Sequence, residues 1–194
     1  MNLQINDRLI PGTILERSSM GNVTGLEFLT KIFYISDGIM LSGIKEISGI
    51  DGSTLQNWVK RGWCENSRLK RYNIDQVAHI LIINMLRNCM QLDRIAFLIR
   101  YINGSVDDRG DDIICDSKLY DYICRILDKL MHTEGEYSMD TLKACIKEET
   151  KDYEEKVSGA SKRLNNALEI IIVSYYASIL KKYADDKISD LIGK

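Results

Sequence analysis

The stretch GSTLQNWVKRGW, Gly52–Trp63, decides how this chain is read. At about 100° per residue, Leu55, Trp58 and Val59 fall within one arc of a helix. Ser53, Thr54, Gln56, Asn57, Lys60 and Arg61 fall within the other. The apolar arc is what a short helix needs to seat itself on a core, with Trp58 and Trp63 as buried aromatic anchors. The polar arc holds hydroxyl, amide and cationic groups, the inventory that reads base edges and phosphates. The same groups also make an ordinary solvated face, so the flanking segments have to decide between the two.

Upstream, Ser42 is placed to cap a short helix, GIKEIS, that stops at Gly49, and GIDGS forms the turn into Gly52–Trp63. Before that, residues 1–23 are irregular, broken at Pro11-Gly12 and Gly21-Asn22. Thr24 opens a helix from Gly25 to Ile35, with Leu26, Leu29, Ile32 and Phe33 on its apolar side, and SDG at Ser36–Gly38 ends it. Downstream, WCENSRLKRYNID is polar, basic and flanked by aromatics. It predicts a two-stranded hairpin with Asn66-Ser67 near its tip. A long helix then starts at Asn73 or Asp75 and runs to about Asn88, carrying Val77, Ile80, Leu81, Ile83 and Leu86. Another opens at Gln91 and is closed by Asn103-Gly104.

The polar, acidic segment SVDDRGDDI, Ser105–Ile113, reads as a domain boundary. Three helices follow, over Ser117–Met131, Ser138–Lys156 and Ser161–Asp185. The expected organisation is an N-terminal extension with one helix over 1–40, a winged helical domain over 41–103 and a helical domain over 113–194.

Composition narrows the function classes. The chain has 194 residues, 45% hydrophobic and 28% charged, with a single proline. That is a globular, mainly α composition. No secretory leader pattern opens the sequence, and the most apolar stretch, Ala167–Leu180, contains Glu169 and is too short to span a membrane. Five widely spaced cysteines without a CxxC suit reduced thiols, and the expectation is a cytoplasmic protein. The net charge of −2 hides an asymmetry. Residues 43–102 hold nine Lys/Arg and five Asp/Glu, a surplus of +4, which leaves −6 for the rest. A basic middle in an acidic chain points to a local anionic partner.

The order of short helix, glycine turn, second helix, basic hairpin and two more helices is that of a helix-turn-helix with a wing. LSGIKEISGIDGSTLQNWVKRGW and LKRYNIDQVAHILIINMLRNCMQLDRIAFLI resemble the DNA-binding domain of MerR-type bacterial transcription regulators. The resemblance rests on Ile47-Ser48-Gly49-Ile50, Thr54-Leu55, Trp58, Arg61-Gly62-Trp63, Arg71-Tyr72, Ile74-Asp75 and Leu92-Asp93-Arg94-Ile95. It covers Leu41 to Ile102. The wording also resembles an uncharacterised bacterial family that joins such a domain to a helical C-terminal region. The resemblance implies a mainly α fold: a MerR-like winged helix-turn-helix with a small β-hairpin wing, plus a C-terminal helical domain. It implies that Thr54, Gln56, Asn57, Lys60 and Arg61 enter a major groove, and that Arg68, Lys70, Arg71 and Tyr72 in the wing grip phosphate. Gln56 stands where the family pattern carries arginine.

No enzyme signature appears: there is no P-loop, no GxSxG and no HExxH. No cofactor or metal is expected. Some MerR-like regulators sense metals through paired cysteines, but Cys115 and Cys124 lie nine residues apart on one helix, which puts them on opposite faces. His79 and His132 are solitary, and Asp107, Asp108, Asp111 and Asp112 do not fit an EF-hand loop.

The last helix places Leu164, Ala167, Leu168, Ile171, Ile172, Tyr175, Ile179 and Tyr183 at helical spacing, while Ile170, Val173 and Tyr176 widen the stripe. A helix apolar nearly all round needs partners on both sides. A homodimer is expected, with Ile171, Ile172, Tyr175 and Ile179 at its interface; burial inside a monomeric bundle is the alternative. The function expected is sequence-specific binding of duplex DNA in transcription regulation. Two rivals stay open: an excisionase-like architectural DNA-binding protein, and an interaction module whose winged domain serves a protein partner.

Overall fold

Asn73 starts the central helix by a reciprocal cap. Its side chain accepts from the Gln76 backbone at 2.9 Å, and the Gln76 side chain accepts from the Asn73 backbone at 3.0 Å. The helix that follows, Ile74–Leu86, is buried along most of its length. A helix apolar on every face must lie inside the protein, and here every layer is built around it. In this computed structural model, which describes residues 8–104, 110, 112–132 and 138–193, the elements run α1 (Gly25–Phe33), β1 (Ile39–Met40), α2 (Leu41–Ser48), α3 (Gly52–Lys60), β2 (Arg71–Tyr72), α4 (Ile74–Leu86), α5 (Leu92–Asn103), α6 (Asp116–Met131), α7 (Met139–Glu149) and α8 (Ala160–Ile192). The protein is mainly helical, with one two-stranded antiparallel sheet among the described residues.

The division expected near residues 105–113 does not separate two cores. α6 packs on α1 and α4 as well as on α7 and α8, and α8 packs on α4 and α5. One apolar cluster runs from Ile10 through Trp58 and Ile80 to Tyr120, Ile171 and Tyr175. Polar contacts cross the same line. Tyr120 donates to the Pro11 carbonyl at 2.7 Å, and Asp128 accepts from Arg17 and Thr24, both at 2.5 Å. Residues 8–40 are therefore a layer of the core and not an appendage. Of the acidic run, Asp107, Asp108 and Asp111 lie outside the described residues.

Several boundaries shift for local reasons. β1 runs straight into α2, so Met40 stands at the N-cap position and Ser42 lies inside the helix. The hairpin tip is Leu69-Lys70, not Asn66-Ser67, and β2 pairs with β1 from upstream of the helices, with Ile39 opposite Tyr72 and Met40 opposite Arg71. α7 stops at Glu149 and not at Lys156, where the Thr150 hydroxyl donates back to the Ile146 carbonyl at 2.8 Å. α8 is longer than its apolar pattern, reaching Ile192.

The dimer residues expected on α8 need correcting. Ile171, Ile172 and Tyr175 are buried in the chain's own core, and Ile179 is half-buried against it. Packing against α4, α5, α6 and α7 consumes that face of the helix. The face left in solvent carries Ile170, Val173, Leu180, Tyr183, Ile188 and Leu191.

Candidate functional site

α3 is held from below. Leu55 and Trp58 are buried, Val59 is half-buried, and the Trp63 backbone donates to the Trp58 carbonyl at 2.9 Å as the chain leaves the helix. The turn before it is pinned at two points. The Ser48 hydroxyl donates to the Ile44 carbonyl at 2.6 Å and accepts from the Ile50 backbone at 3.2 Å. Asn84 of α4 donates to the carbonyls of Gly12 and Ser48, at 2.8 and 2.9 Å. The α2–α3 pair is thus fixed to the central helix by the Asn84–Ser48 hydrogen bond as well as by apolar packing.

With that face seated, Ser53, Gln56, Asn57 and Lys60 are exposed. Their i, i+3, i+4, i+7 spacing makes one outward stripe. Thr54 sits half-buried at its edge. Arg61 lies just past the helix end, with its guanidinium 5.2 Å from the Trp63 ring centroid and its Nε donating to Asn57 Oδ1 at 3.4 Å. Ser53 belongs to the stripe although the sequence-derived site set passes over it. Its helical angle carries the signal.

The hairpin presents Arg68, Leu69 and Lys70 to solvent, and Leu69 is 97% exposed. The backbone of Arg68 and Arg71 exchanges two hydrogen bonds, at 3.0 and 2.9 Å, around Leu69 and Lys70, whose φ values are +51° and +61°. This is the mirror-image turn that matches strand twist. Arg71 is exposed but engaged: its Nη1 donates to Ser36 Oγ at 2.9 Å and to the Gly38 carbonyl at 2.8 Å. It ties the hairpin to the turn before β1. Tyr72 needs correcting. Its side chain is buried, and burial pushes its phenol pKa up, so it packs under the sheet and is not part of an exposed phosphate grip.

Sequence reasoning missed two further cations. Arg87, at the end of α4, lies 5.9 Å from the Trp58 ring centroid; burial lowers its pKa, and Asp51 acts in the opposite direction. Lys45 of α2 pairs with Asp51 at 3.5 Å. Both lie near the start of α3 only because α2 and α4 fold against it, and no local pattern announces them. His79 contacts Asp116 Oδ2 at 3.2 Å through Nδ1 and the Trp63 carbonyl at 2.8 Å through Nε2, all buried, so it belongs to the packing beneath the site. Cys124 is buried within α6, and burial raises its thiol pKa. Among the described residues, no group of His, Cys, Asp and Glu side chains is arranged to hold a metal ion. None of their helices is long and apolar enough to cross a membrane.

Residues 31–123 match a family profile described as "Domain of unknown function (DUF1836)". The match runs from α1 into α6, across the acidic connection, as the shared core does. The chain is also similar to the Uncharacterized protein YkrK of Bacillus subtilis (strain 168), at 26% identity over 102 residues. That match covers 50% of this chain and 43% of the relative, so less than half of the relative's length is spanned. No solved structure matches the chain significantly.

Proposed function

We propose that this protein binds duplex DNA sequence-specifically through a MerR-like winged helix-turn-helix, and regulates transcription as a cytoplasmic homodimer. One observation carries the reading. α3 stands on a buried tryptophan with Ser53, Gln56, Asn57 and Lys60 in a single exposed stripe. Behind it in the chain comes a hairpin whose tip is basic and exposed. A recognition helix needs the first feature, and backbone-gripping wings supply the second. Lys60, Arg61, Arg68 and Lys70 take the phosphates in this reading, while Arg71 holds the wing in place. The five free cysteines fit a reducing compartment.

The test is a duplex-binding titration at several salt concentrations, wild type beside a Lys60→Ala/Lys70→Ala variant. Both side chains are exposed, so folding should survive. The expected result is weaker binding to every duplex and a salt slope shallower by about 2, one for each lost phosphate contact. Equal binding by the two proteins would reject the interface. A second reading, a winged domain serving a protein partner, draws on the exposed Tyr34, Ile35 and Leu69. The same titration decides it, since that reading expects no salt-dependent duplex binding.

The homodimer rests on the solvent face of α8. Ile170, Val173, Ala177, Leu180 and Ala184 follow the alternating three- and four-residue spacing of a coiled-coil seam, with Lys187 at the next position and Leu191 at the one after. Charges of both signs lie beside it, with Lys181 paired to Asp185 and Lys182 to Asp186, each one turn on. Light scattering of a Val173→Asp/Leu180→Asp variant is expected to read half the wild-type mass, with helicity by circular dichroism retained. An unchanged mass would remove this face from the interface.

A further inference from the structure

The base-reading part of α3 carries amides where a guanine reader would carry cations. A recognition helix contacts base edges chiefly with the residues nearest its N-terminus. In α3 the exposed residues of the first two turns are Ser53, Gln56 and Asn57. The cations are elsewhere. Lys60 is the last residue of the helix, Arg61 is drawn over Trp63 and toward Asn57, and Arg87 lies over Trp58. Lys60 and Arg61 are thus placed at the C-terminal end of the stripe, and Arg87 stands outside it.

The chemistry of the two amides is specific. Adenine offers the major groove an N7 acceptor and an N6 donor, and the Gln or Asn amide complements both with one donor and one acceptor. Guanine offers two acceptors, which a guanidinium or ammonium matches and a single amide does not. The 3.4 Å contact from Arg61 occupies one lone pair of Asn57 Oδ1 and leaves its second lone pair and the amide donors available. Adjacent positions on one exposed face allow the two amides to reach neighbouring base pairs.

We propose that, resting on the duplex-binding reading above, α3 selects sites with adenines at neighbouring positions of the half-site, read by Gln56 and Asn57. The experiment selects bound sequences from a random duplex pool using the full chain and its Gln56→Ala, Asn57→Ala and Gln56→Arg variants. Circular dichroism confirms that each is folded. Wild-type binding to a mixed-sequence duplex at low salt is recorded alongside. The expected result is a site with two adenine positions. One loses its preference in Gln56→Ala and the other in Asn57→Ala, each by roughly 5- to 150-fold. In Gln56→Arg the corresponding adenine becomes guanine. A selected site that stays unchanged in all three variants, or that carries guanine at the responding positions, overturns the proposal while mixed-duplex binding stands. Absence of mixed-duplex binding by the wild type overturns the duplex reading, and this proposal falls with it.

Discussion

Trp58→Ala is expected to destabilise the protein by about 3–5 kcal/mol, the usual cost of truncating a large buried aromatic. Trp58 is 1% exposed and is the largest side chain in the seat of α3. Its loss leaves a cavity under a helix of only nine residues, too short to hold its shape without tertiary packing. Arg87 also loses the ring it lies over. Urea denaturation followed by far-ultraviolet circular dichroism measures the change. Trp58→Phe keeps an aromatic in the seat and should recover much of the stability. It also leaves Trp63 as the single tryptophan reporter. A loss below about 1 kcal/mol in Trp58→Ala would show that α3 is seated by something else, because a cavity of that size cannot cost so little unless the site collapses.

Gly12→Ala should cost about 2–5 kcal/mol, and its origin lies in the backbone. Gly12 has φ +76°, and an added Cβ would stand 2.3 Å from the Leu81 carbonyl oxygen and 2.9 Å from its carbon. The left-handed conformation alone costs a non-glycine residue roughly 1–2 kcal/mol. Overpacking against a buried element adds about 1–3 kcal/mol. The obstacle is main chain of the buried central helix, so no side chain can swing aside. Relief requires residues 8–16 to lift off α4, which also breaks the bond from Asn84 to the Gly12 carbonyl. Gly62 is the control. Its φ is +69°, but a Cβ there meets nothing within 4 Å. Gly62→Ala should show only the conformational cost, about 1–2 kcal/mol. Equal effects at the two positions would remove the close approach to Leu81 as the cause.

Gly12 also shows what local pattern misses. Pro11-Gly12 reads as a breaker in an irregular lead, and nothing local shows that it lies against the middle of α4. Local physics made other features legible. The alternation of Leu55, Trp58 and Val59 with polar neighbours placed a helix over Gly52–Trp63, and the amphipathic face it implied is the face found buried. Gly49 and Asn103-Gly104 ended helices where expected, since chain termination there depends on the residues at hand. Asn73, one of the two expected starts of the long helix, is its cap, while the reciprocal bond to the Gln76 side chain emerged only in the structure.

The misreadings share one cause. Apolar spacing tells which residues avoid water but not what covers them. Ile171, Ile172 and Tyr175 had the right spacing for a subunit interface, and the chain's own helices cover them instead. Tyr72 stood beside exposed cations in sequence, but strand alternation turns successive side chains to opposite faces, so Arg71 points outward and Tyr72 inward. The acidic connection looked like a boundary because composition changes there, whereas the core on either side is continuous through α4, α6 and α8.

The sequence by itself determined the helical class, the helix ends that carry their own stop signals and the outward stripe of α3, because each depends on interactions a few residues apart. The tertiary structure alone decided which apolar faces meet, how Arg71 ties the hairpin down and how Arg87 comes to lie over Trp58. Those contacts join residues tens of positions apart, and their energy exists only once the core has brought them together.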